Sequence, residues 1–455
     1  MNIVLWLVIL ICFALMGFIY YRFCQNTAVE FLNRLKNQEQ KEVLKMRKIS
    51  FVMIVGMLLS LFSWQQLYAG EIDVLVDKLV EKGFLTPVEA QIILDETKQE
   101  VAKEVAKGES YALPKWVQNI KFKGDLRTRY QWEKRKGSEE RHRARIRFRL
   151  GSEMKVTDNV KVAAGLATGG TDPRSTNETL DNTFETSDIR LDYAYAQYTP
   201  VSWLALQGGK IQGMPFWVPS DLLWDSDINP EGIAVNLNHG LSSNIDAFFN
   251  AGLFILDEAS SDTSDPFMYV LQPGFDAKIS DDINLKTAVS YYGFDNIKGG
   301  TLDHSSGTNS LSGGGLQYNY DSLGVSTELG FKNPLGIEAV PYFALIGEYI
   351  NNFDPPSDND GFLVGCAVGE QKVGKKGQWQ AKYLYRRLER DAFTDTFPDS
   401  DFYGGETNVK GHEAIFQYGL LDNVILGFDY YYTEPIKGTV KNKEHLFQTD
   451  VVFKF

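Results

Sequence analysis

Hydrophobic and polar residues alternate one by one over most of the chain beyond residue 116. The last eleven residues show this clearly, with Phe447, Thr449, Val451, Phe453 and Phe455 on one face and Gln448, Asp450, Val452 and Lys454 on the other. A period of two residues is typical of a β-strand with one apolar and one mostly polar face. Because such segments recur about sixteen times, we predict a protein built almost entirely from strands.

The first two segments place many positive charges on one face. Their basic positions are Lys121, Lys123, Arg127, Arg129, Arg141, Arg143, Arg145, Arg147 and Arg149. In the second segment the arginines alternate with residues such as Ile146, Phe148 and Leu150. Five arginines on one side of a strand cannot lie in a soluble core without partners, because an unpaired buried charge is very costly. They therefore face water while the opposite face meets an apolar medium, as in a transmembrane β-barrel.

The connections between the segments alternate in length. Asp281-Asp282 and Leu421-Asp422-Asn423 are tight, whereas 168–186, 212–231 and 390–408 are long and polar. Short turns on one rim and long loops on the other are typical of outer-membrane barrels, which in bacteria have an even number of strands. We therefore predict an all-β transmembrane fold, an antiparallel up-and-down β-barrel of about 16 strands over residues 114–455.

Two apolar segments precede the strands. Residues 46–69 combine a basic start, an apolar middle and a small final residue, Ala69, which predicts a secretory signal peptide cleaved after that residue. Residues 3–21 are nearly uncharged and long enough to span a bilayer. The extension 1–45 is either a membrane anchor or translated sequence upstream of a true start at Met46. The second interpretation is favoured, because the segment from Met46 is complete as a signal, so we do not expect 1–45 in the mature protein.

Residues 70–113 have a helical pattern instead. Leu75, Val76 and Leu79 recur at helical spacing, and Thr86-Pro87-Val88-Glu89 predicts a second helix that begins with a capping box. A helical hairpin this short buries little core. We interpret it as a periplasmic oligomerisation element, with a trimeric coiled coil as the specific form, or as a hairpin packed on its own barrel.

Composition narrows the functional classes. The chain has 455 residues with 13% aromatics, 40 Gly and a net charge of −13, and residues 1–69 hold 7 basic and 3 acidic residues. The mature chain then has 39 basic and 56 acidic residues, a net charge of −17, which argues against nucleic acid as a partner. Cys366 is the one cysteine after residue 69, so neither an internal disulfide nor a cysteine-based zinc site is expected.

The basic positions of the first two segments, which we call the basic stripe, have two interpretations. Cationic side chains on the wall of a pore stabilise a passing anion. Alternatively, acidic residues of neighbouring strands or of an inserted loop neutralise the stripe, with Asp125, Asp188 and Asp192 as candidates.

The segment 208–232 is aromatic and rich in proline, which is a poor composition for a loop in free solvent. It is expected to fold inward as a constriction loop, with Lys210, Asp225, Asp227 and Glu231 lining the gap. Asp225-Ser-Asp227-Ile-Asn229 also resembles the start of a calcium loop. That match fails because Pro230 replaces the required glycine and Asn236 the final glutamate, so no metal or other cofactor is expected.

Several motifs together resemble the bacterial "putative porin" family. They are the signal peptide, Val80-Glu-Lys-Gly-Phe-Leu-Thr-Pro-Val-Glu-Ala90, Gly209-Lys-Ile-Gln-Gly-Met-Pro-Phe-Trp217, Trp224-Asp-Ser-Asp-Ile-Asn-Pro-Glu-Gly232 and the final Phe455. The resemblance covers 46–455 and implies a homotrimeric diffusion channel for small solutes or ions in the outer membrane. The last strand also resembles the closing strand of Gram-negative barrels, in which the terminal Phe is recognised by the assembly machinery. Membrane lipid is then a further partner.

Outer-membrane barrels also include enzymes and structural proteins. Outer-membrane lipid hydrolases place His and Ser two positions apart on an outward face, but His142 is followed by Ala144, so the nucleophile is missing and no catalytic residue is assigned. No Gly-x-Ser-x-Gly turn and no phosphate-binding loop occurs. A structural or adhesive barrel with a closed lumen remains the alternative to a porin.

Overall fold

The computed structural model describes residues 119–258, 260, 264–438 and 442–455, together with Thr86, Glu89 and Ala90. The chain divides into two units, Met1–Gln118 and Asn119–Phe455. In the first unit, Thr86 Oγ1 accepts a bond from the Glu89 amide at 3.3 Å, and Glu89 accepts one from the Thr86 amide at 2.9 Å, which are the two bonds of a capping box. The extension, the signal peptide and the remainder of the predicted hairpin lie outside the described residues.

The second unit is a barrel of sixteen long strands within the described residues. Their bounds are β1 Ile120–Arg135, β2 Arg141–Lys155, β3 Val160–Thr168, β4 Ile189–Val201, β5 Leu204–Lys210, β6 Glu231–Ser242, β7 Ile245–Ile255, β8 Phe267–Ser280, β9 Ile283–Asp295, β10 Ser322–Lys332, β11 Tyr342–Asn352, β12 Asp360–Gly369, β13 Trp379–Leu388, β14 Val409–Leu421, β15 Val424–Pro435 and β16 Glu444–Lys454. No helix in the described part of the chain is long and apolar enough to cross a membrane.

Each long strand pairs antiparallel with its neighbours in sequence, and the first strand pairs with the last. In the β1–β16 ladder Asp125 lies opposite Lys454 and Arg135 opposite Glu444. Gly124 and Phe455 then exchange two backbone bonds of 2.8 and 3.1 Å beyond the ladder. The prediction of a 16-stranded antiparallel barrel closed by the C-terminal strand is therefore confirmed, and closure leaves no exposed sheet edge.

Long connections lie on one rim and mostly short ones on the other. The long-loop rim carries loop 2 (169–188), loop 3 (211–230), loop 5 (296–321) and loop 7 (389–408), counted from loop 1 at 136–140. The opposite rim has two-residue turns at 202–203, 243–244, 281–282 and 422–423.

Two strand boundaries depend on proline and glycine. β4 continues through Pro200 to Val201, so the turn lies at 202–203, and a register shift between Tyr198 and Val201 accommodates a residue that has no amide hydrogen to donate. β10 begins at Ser322 and does not extend back to Leu316. Leu311-Ser312 and Gly315-Leu316 form a small hairpin inside loop 5 instead, because Gly313 and Gly314 supply the two positive φ angles of its turn.

Candidate functional site

Loop 3 crosses the interior of the barrel. Asp227 lies 3.3 Å from an Arg149 nitrogen on β2, whereas Trp217 bonds to Gln272 on β8. Ser220, three residues further on, bonds to Glu348 on β11. β2 lies on the opposite side of a sixteen-stranded barrel from β8 and β11, so a segment that contacts all three has to pass through the lumen. The face that carries Arg149, Gln272 and Glu348 is therefore the inner one.

A row of amides on the inner wall holds the beginning of loop 3. The Gln272 side chain, fully buried at 0% exposure, accepts a bond from the Trp217 amide at 2.8 Å and donates one to the Trp217 carbonyl at 2.9 Å. Asn236 donates to the Pro215 carbonyl at 2.5 Å and to Asn250, which donates in turn to Gln272 at 2.9 Å. These bonds satisfy buried backbone groups of a segment that lies outside any sheet.

Loop 7 also enters the lumen, which the sequence analysis did not anticipate. Its residues 391–399 are all buried. Phe393 and Phe397 lie 5.3 and 4.8 Å from Trp224 of loop 3, ring centre to ring centre, and belong to one apolar cluster with residues of loops 3 and 5 and of strands β6–β9 and β11–β13. Asp225 joins the same two loops through the Ser400 amide at 2.9 Å.

Loops 2 and 5 bind loop 7 from the rim. Asp395 of loop 7 accepts bonds from Ser305, from the amide and hydroxyl of Thr308, and from the Asn309 amide. The guanidinium of Arg174 in loop 2 donates to the Asp395 carbonyl at 3.2 Å and to the His304 carbonyl at 3.0 Å. Loop 7 is thus the element around which the other inserted loops are organised.

Most arginines of the basic stripe face carboxylates. Asp125 lies 2.8 Å from both Arg147 and Arg149, and Asp227 of loop 3 contacts the same two side chains. The remaining pairs join Arg127 and Arg129 to Asp450, Arg129 to Asp401 of loop 7, and Arg143 to Glu133. Of the candidates for neutralisation, Asp125 makes these contacts, whereas Asp188 pairs with Arg190 and Asp192 accepts a bond from Asn229.

Four members of the stripe have no carboxylate within 4.0 Å among the described residues. Arg145 bonds only to the neutral Gln131 side chain at 3.3 Å, and its Nε is buried without a hydrogen-bond partner. Lys121, Lys123 and Arg141 are exposed at the two ends of the stripe. The stripe is therefore largely neutralised, and Arg145, which lies between the paired Arg143 and Arg147, is the arginine of its middle section without a carboxylate within 4.0 Å in the described part of the chain.

The four residues expected to line the constriction do not come together. Lys210 ends β5 and Glu231 begins β6, and the two form an ion pair of 2.7 Å at the root of loop 3. Asp225 and Asp227 lie within the lumen, where Asp225 contacts loop 7 and Asp227 contacts the stripe. The alternating pattern of the strands could not locate loop residues relative to the wall.

The carboxyl groups of the inserted loops have strongly different environments. Burial raises the pKa of Asp221 to about 8, with Asp399 and Glu413 adding to the effect. Burial also raises the pKa of Asp225 well above its usual value, and Asp399 acts in the same direction. Burial would likewise raise the pKa of Asp227, but Arg147 and Arg149 outweigh it and lower that pKa below the usual range. The loops therefore combine carboxyls that favour the neutral form with others that favour the charged form.

No group of three or more His, Cys, Asp or Glu side chains in the described ranges is arranged to hold a metal ion. In the cluster around Arg386, for example, the acidic side chains are paired with an arginine. Arg386 lies 2.5 Å from Asp399 and 3.3 Å from Glu413, and its guanidinium stacks over Phe402 at 3.6 Å.

The sequence of the chain matches the family described as "Putative porin" over residues 74–139, 132–323 and 319–455. The chain belongs to this family. Family membership together with the closed barrel supports an outer-membrane channel.

Solved structures of similar shape include other porins. OprB of Pseudomonas putida is 9% identical, with 74% of this chain and 95% of that chain covered and a TM-score of 0.49. The Acinetobacter baumannii outer-membrane channel DcaP is 13% identical, with 74% and 97% covered and a TM-score of 0.42. A Rhodopseudomonas blastica porin variant is 11% identical, with 74% and 100% covered and a TM-score of 0.40. A comparison with curated protein sequences finds no match.

One sequence signal could have indicated the insertion of loop 7. Residues 391–399 read Asp-Ala-Phe-Thr-Asp-Thr-Phe-Pro-Asp, in which two phenylalanines and a proline are spaced among aspartates. Large aromatic residues in an otherwise polar loop are poorly placed in free solvent. The composition that predicts an inward path for loop 3 therefore predicts one for loop 7 as well.

Proposed function

We propose that this protein is an outer-membrane porin through which small hydrophilic or ionic solutes diffuse passively, and that its lumen favours anions. The observation that carries the proposal is the composition of the inner wall. Arg145, Arg141, Lys121 and Lys123 have no carboxylate within 4.0 Å among the described residues, although the chain as a whole is acidic. Cations that line an aqueous path stabilise a passing anion, whereas a barrel with a purely structural role has no use for uncompensated charge in its lumen.

Loops 3 and 7 form the proposed constriction. Asp227 and Asp401 reach the basic stripe from these two loops, so the narrowest part of the path lies between the loops and strands β1, β2 and β16. The opposite side of the lumen is filled by the apolar cluster of the inserted loops. Asp225 fixes loop 3 to loop 7, and the Lys210–Glu231 pair holds the root of loop 3.

The proposal includes partners that fit this role. The protein is proposed to be a homotrimer, to be inserted by the barrel-assembly machinery through the signal of Phe455, and to contact outer-membrane lipid with its apolar outer face. The helical segment precedes β1, whose first residue lies at the rim opposite the long loops. Because the long loops of such barrels face the cell exterior, the segment is proposed to lie in the periplasm. No catalytic role is proposed.

The test is single-channel recording in planar bilayers with a KCl gradient. Ohmic conductance steps and a reversal potential of the sign for chloride preference are expected. Replacing Arg143, Arg145 and Arg147 by Gln should reduce the chloride preference. Arg387, which lies on the opposite face of β13 from Arg386 and pairs with Glu389 at 2.8 Å, provides the control Arg387→Gln with an unchanged reversal potential. A cation preference in the parent protein would refute the anion selectivity.

A second function is favoured by a specific observation. Loops 2, 3, 5 and 7 interlock through Arg174, Asp395 and Asp225 and bury an apolar cluster, as a barrel with a closed lumen and a structural or adhesive role would require. Correctly folded protein that gives no conductance steps would support this role and overturn the porin proposal.

A further inference from the structure

Three of the five histidines of the chain lie on one arc of the outer face. His412 is in β14, His445 in β16 and His142 in β2, and all three lie within four residues of the long-loop end of their strand. Each histidine lies on the same, outward face of its strand as aromatic residues. His239 lies instead near the opposite rim, and His304 is in loop 5.

Each of these histidines is oriented by a tyrosine on a neighbouring strand. The Nδ1 atom of His142 lies 2.7 Å from the Tyr130 hydroxyl, that of His412 2.6 Å from Tyr383, and that of His445 2.7 Å from Tyr430. When a tyrosine hydroxyl donates to Nδ1, the neutral imidazole carries its hydrogen on Nε2, at the other side of the ring. The tyrosines thus orient three imidazole rings, and in the tautomer that accepts the tyrosine hydrogen at Nδ1 each ring keeps an N–H donor at Nε2.

The rings form a nearly continuous belt near the long-loop ends of these strands. His412 lies 5.0 Å from Tyr385 and 6.3 Å from Tyr432, ring centre to ring centre, and Tyr432 lies 5.0 Å from His445. Trp132, which is opposite both Phe447 and His142 in the ladders, continues the belt to β2. Tyr and Trp at the ends of membrane strands are common, but repeated histidines in that position are a special feature of this arc.

Lysines lie just beyond the belt on the same face. Lys443 and Lys410 are two residues closer to the rim than His445 and His412, and Lys134 is opposite His445 in the β1–β16 ladder. Lys410 and Lys443 share one carboxylate, Glu434, at 3.4 and 3.8 Å, and Lys134 is 3.7 Å from Glu140. Three lysines facing two carboxylates leave a local excess of positive charge.

We propose that this arc, from β13 through β16 to β2, binds the phosphorylated headgroup of an outer-leaflet glycolipid. Imidazole N–H groups and lysines at headgroup level complement phosphate in charge and in hydrogen bonding. The proposal relies on the outer-membrane location and is independent of whether the lumen conducts.

Native mass spectrometry of the detergent-solubilised full chain tests the proposal, with bisphosphorylated lipid A and dephosphorylated lipid A as probes. The parent protein should retain the bisphosphorylated form preferentially. The triple variant His142→Phe, His412→Phe and His445→Phe keeps the rings but removes the donors, and should lower that affinity by roughly tenfold, as expected for the loss of three modest hydrogen bonds. The corresponding Gln variants retain an N–H donor and should bind more strongly than the Phe variants.

The matched control changes outward tyrosines at the same level elsewhere on the barrel. Tyr269→Phe, Tyr291→Phe and Tyr349→Phe, in β8, β9 and β11, should leave lipid A binding within about twofold of the parent, because none belongs to the arc. Equal retention of both lipid A forms by the parent, or unchanged binding by the His-to-Phe variant, would refute the proposal. Loss of oligomers in that variant would assign the arc to a second copy and refute it as well. Conductance of the same preparations separates this outcome from failure of the porin proposal.

Discussion

Arg145 and Arg147 are two positions apart on β2 and point into the same lumen, but their surroundings differ. Arg147 contacts Asp125 at 2.8 Å and Asp227 at 3.8 Å, and is 8% exposed. Arg145 bonds to the neutral Gln131 side chain at 3.3 Å and has no carboxylate within 4.0 Å in the part of the chain that the structure describes. A buried paired charge mainly affects stability when it is removed, because its partner is then left uncompensated. An unpaired cation beside the aqueous path mainly affects the passing ion.

The two residues should therefore give separable effects. Arg147→Gln is expected to lower the free energy of unfolding by about 3 kcal/mol, whereas Arg145→Gln should change it by less than about 1 kcal/mol. Arg145→Gln should instead reduce the chloride preference. Urea unfolding in lipid vesicles gives the first quantity, and the reversal potential gives the second. Equal destabilisation by both substitutions would contradict the assignment of Arg145 as uncompensated.

At the scale of the element, the inserted loops are held by specific side chains and not by regular secondary structure. Gln272 binds both the amide and the carbonyl of Trp217, and Asp395 binds four donors of loop 5. Both side chains make bonds that a strand would otherwise provide to a neighbouring backbone. The position of each loop thus depends on a small number of polar contacts.

Gln272→Leu tests this dependence for loop 3. The substitution leaves the Trp217 amide and carbonyl without partners, and is expected to cost about 2–4 kcal/mol and to make the constriction mobile. Single-channel recordings should then show increased open-channel noise. Gln207 donates to Asn236 at 2.9 Å and does not contact the loop. Gln207→Leu is therefore the matched control and should keep the open-channel noise of the parent protein. Noise of the same size in both variants would contradict a direct role of Gln272.

At the scale of the whole molecule, the packing of loop 3 against loop 7 and the wall depends on protonation. Asp221 lies near Asp399, Glu413, Arg386 and Lys382, and its pKa is raised to about 8, first by burial and then by Asp399 and Glu413. The folded protein therefore binds a proton more tightly than the unfolded chain, in which the value is near 3.8. The stabilisation that this proton supplies is greatest at low pH and is lost as the pH rises from about 4 to about 8.

We expect the free energy of unfolding to fall across this pH interval and the loops to loosen. Asp221→Asn mimics the protonated side chain and should reduce the pH dependence of both unfolding and conductance, whereas Asp225, whose pKa is also raised by burial, should maintain the remainder. Asp227 and Asp401 have lowered pKa values because arginines outweigh the effect of burial, so their stabilising contributions are lost only as the pH falls below the ordinary range and do not act in this interval. An unchanged slope in Asp221→Asn would show that another group is responsible.

Closure of the barrel also belongs to the whole molecule. Phe455 bonds to Gly124 through its backbone, and its ring stacks on Phe148 at 6.3 Å. Phe455→Ala keeps the backbone bonds, so refolding into vesicles from urea should be nearly unchanged. If the ring serves as an assembly signal, the amount of folded protein in cells should fall several-fold, as judged by heat-modifiable electrophoresis. Phe453→Ala is the control, because Phe453 lies two residues before Phe455 on the same face of the strand.

The sequence determined the barrel, because side-chain alternation is a local property. The residues of each strand show which face meets lipid and which meets water, so about sixteen strands and their antiparallel order followed from periods of two and from loop lengths. The closing role of β16 followed from its resemblance to the last strand of Gram-negative barrels. The inward direction of loop 3 followed from its aromatic composition. Loop 7 has a similar composition, and it too lies inside the barrel.

Tertiary structure alone decided which charges meet. Arg147 and Arg145 are equivalent in the alternating pattern, and only the path of loop 3 brings Asp227 to one and not to the other. Asp450 and Asp401 reach Arg129 from more than 270 positions further along the chain, a distance over which periodicity holds no information. The histidine arc arises similarly, since His142 joins His412 and His445 only when the first and last strands pair. Short stretches of sequence determine the two faces of a strand, whereas contacts across the lumen depend on closure of the barrel and on insertion of the loops.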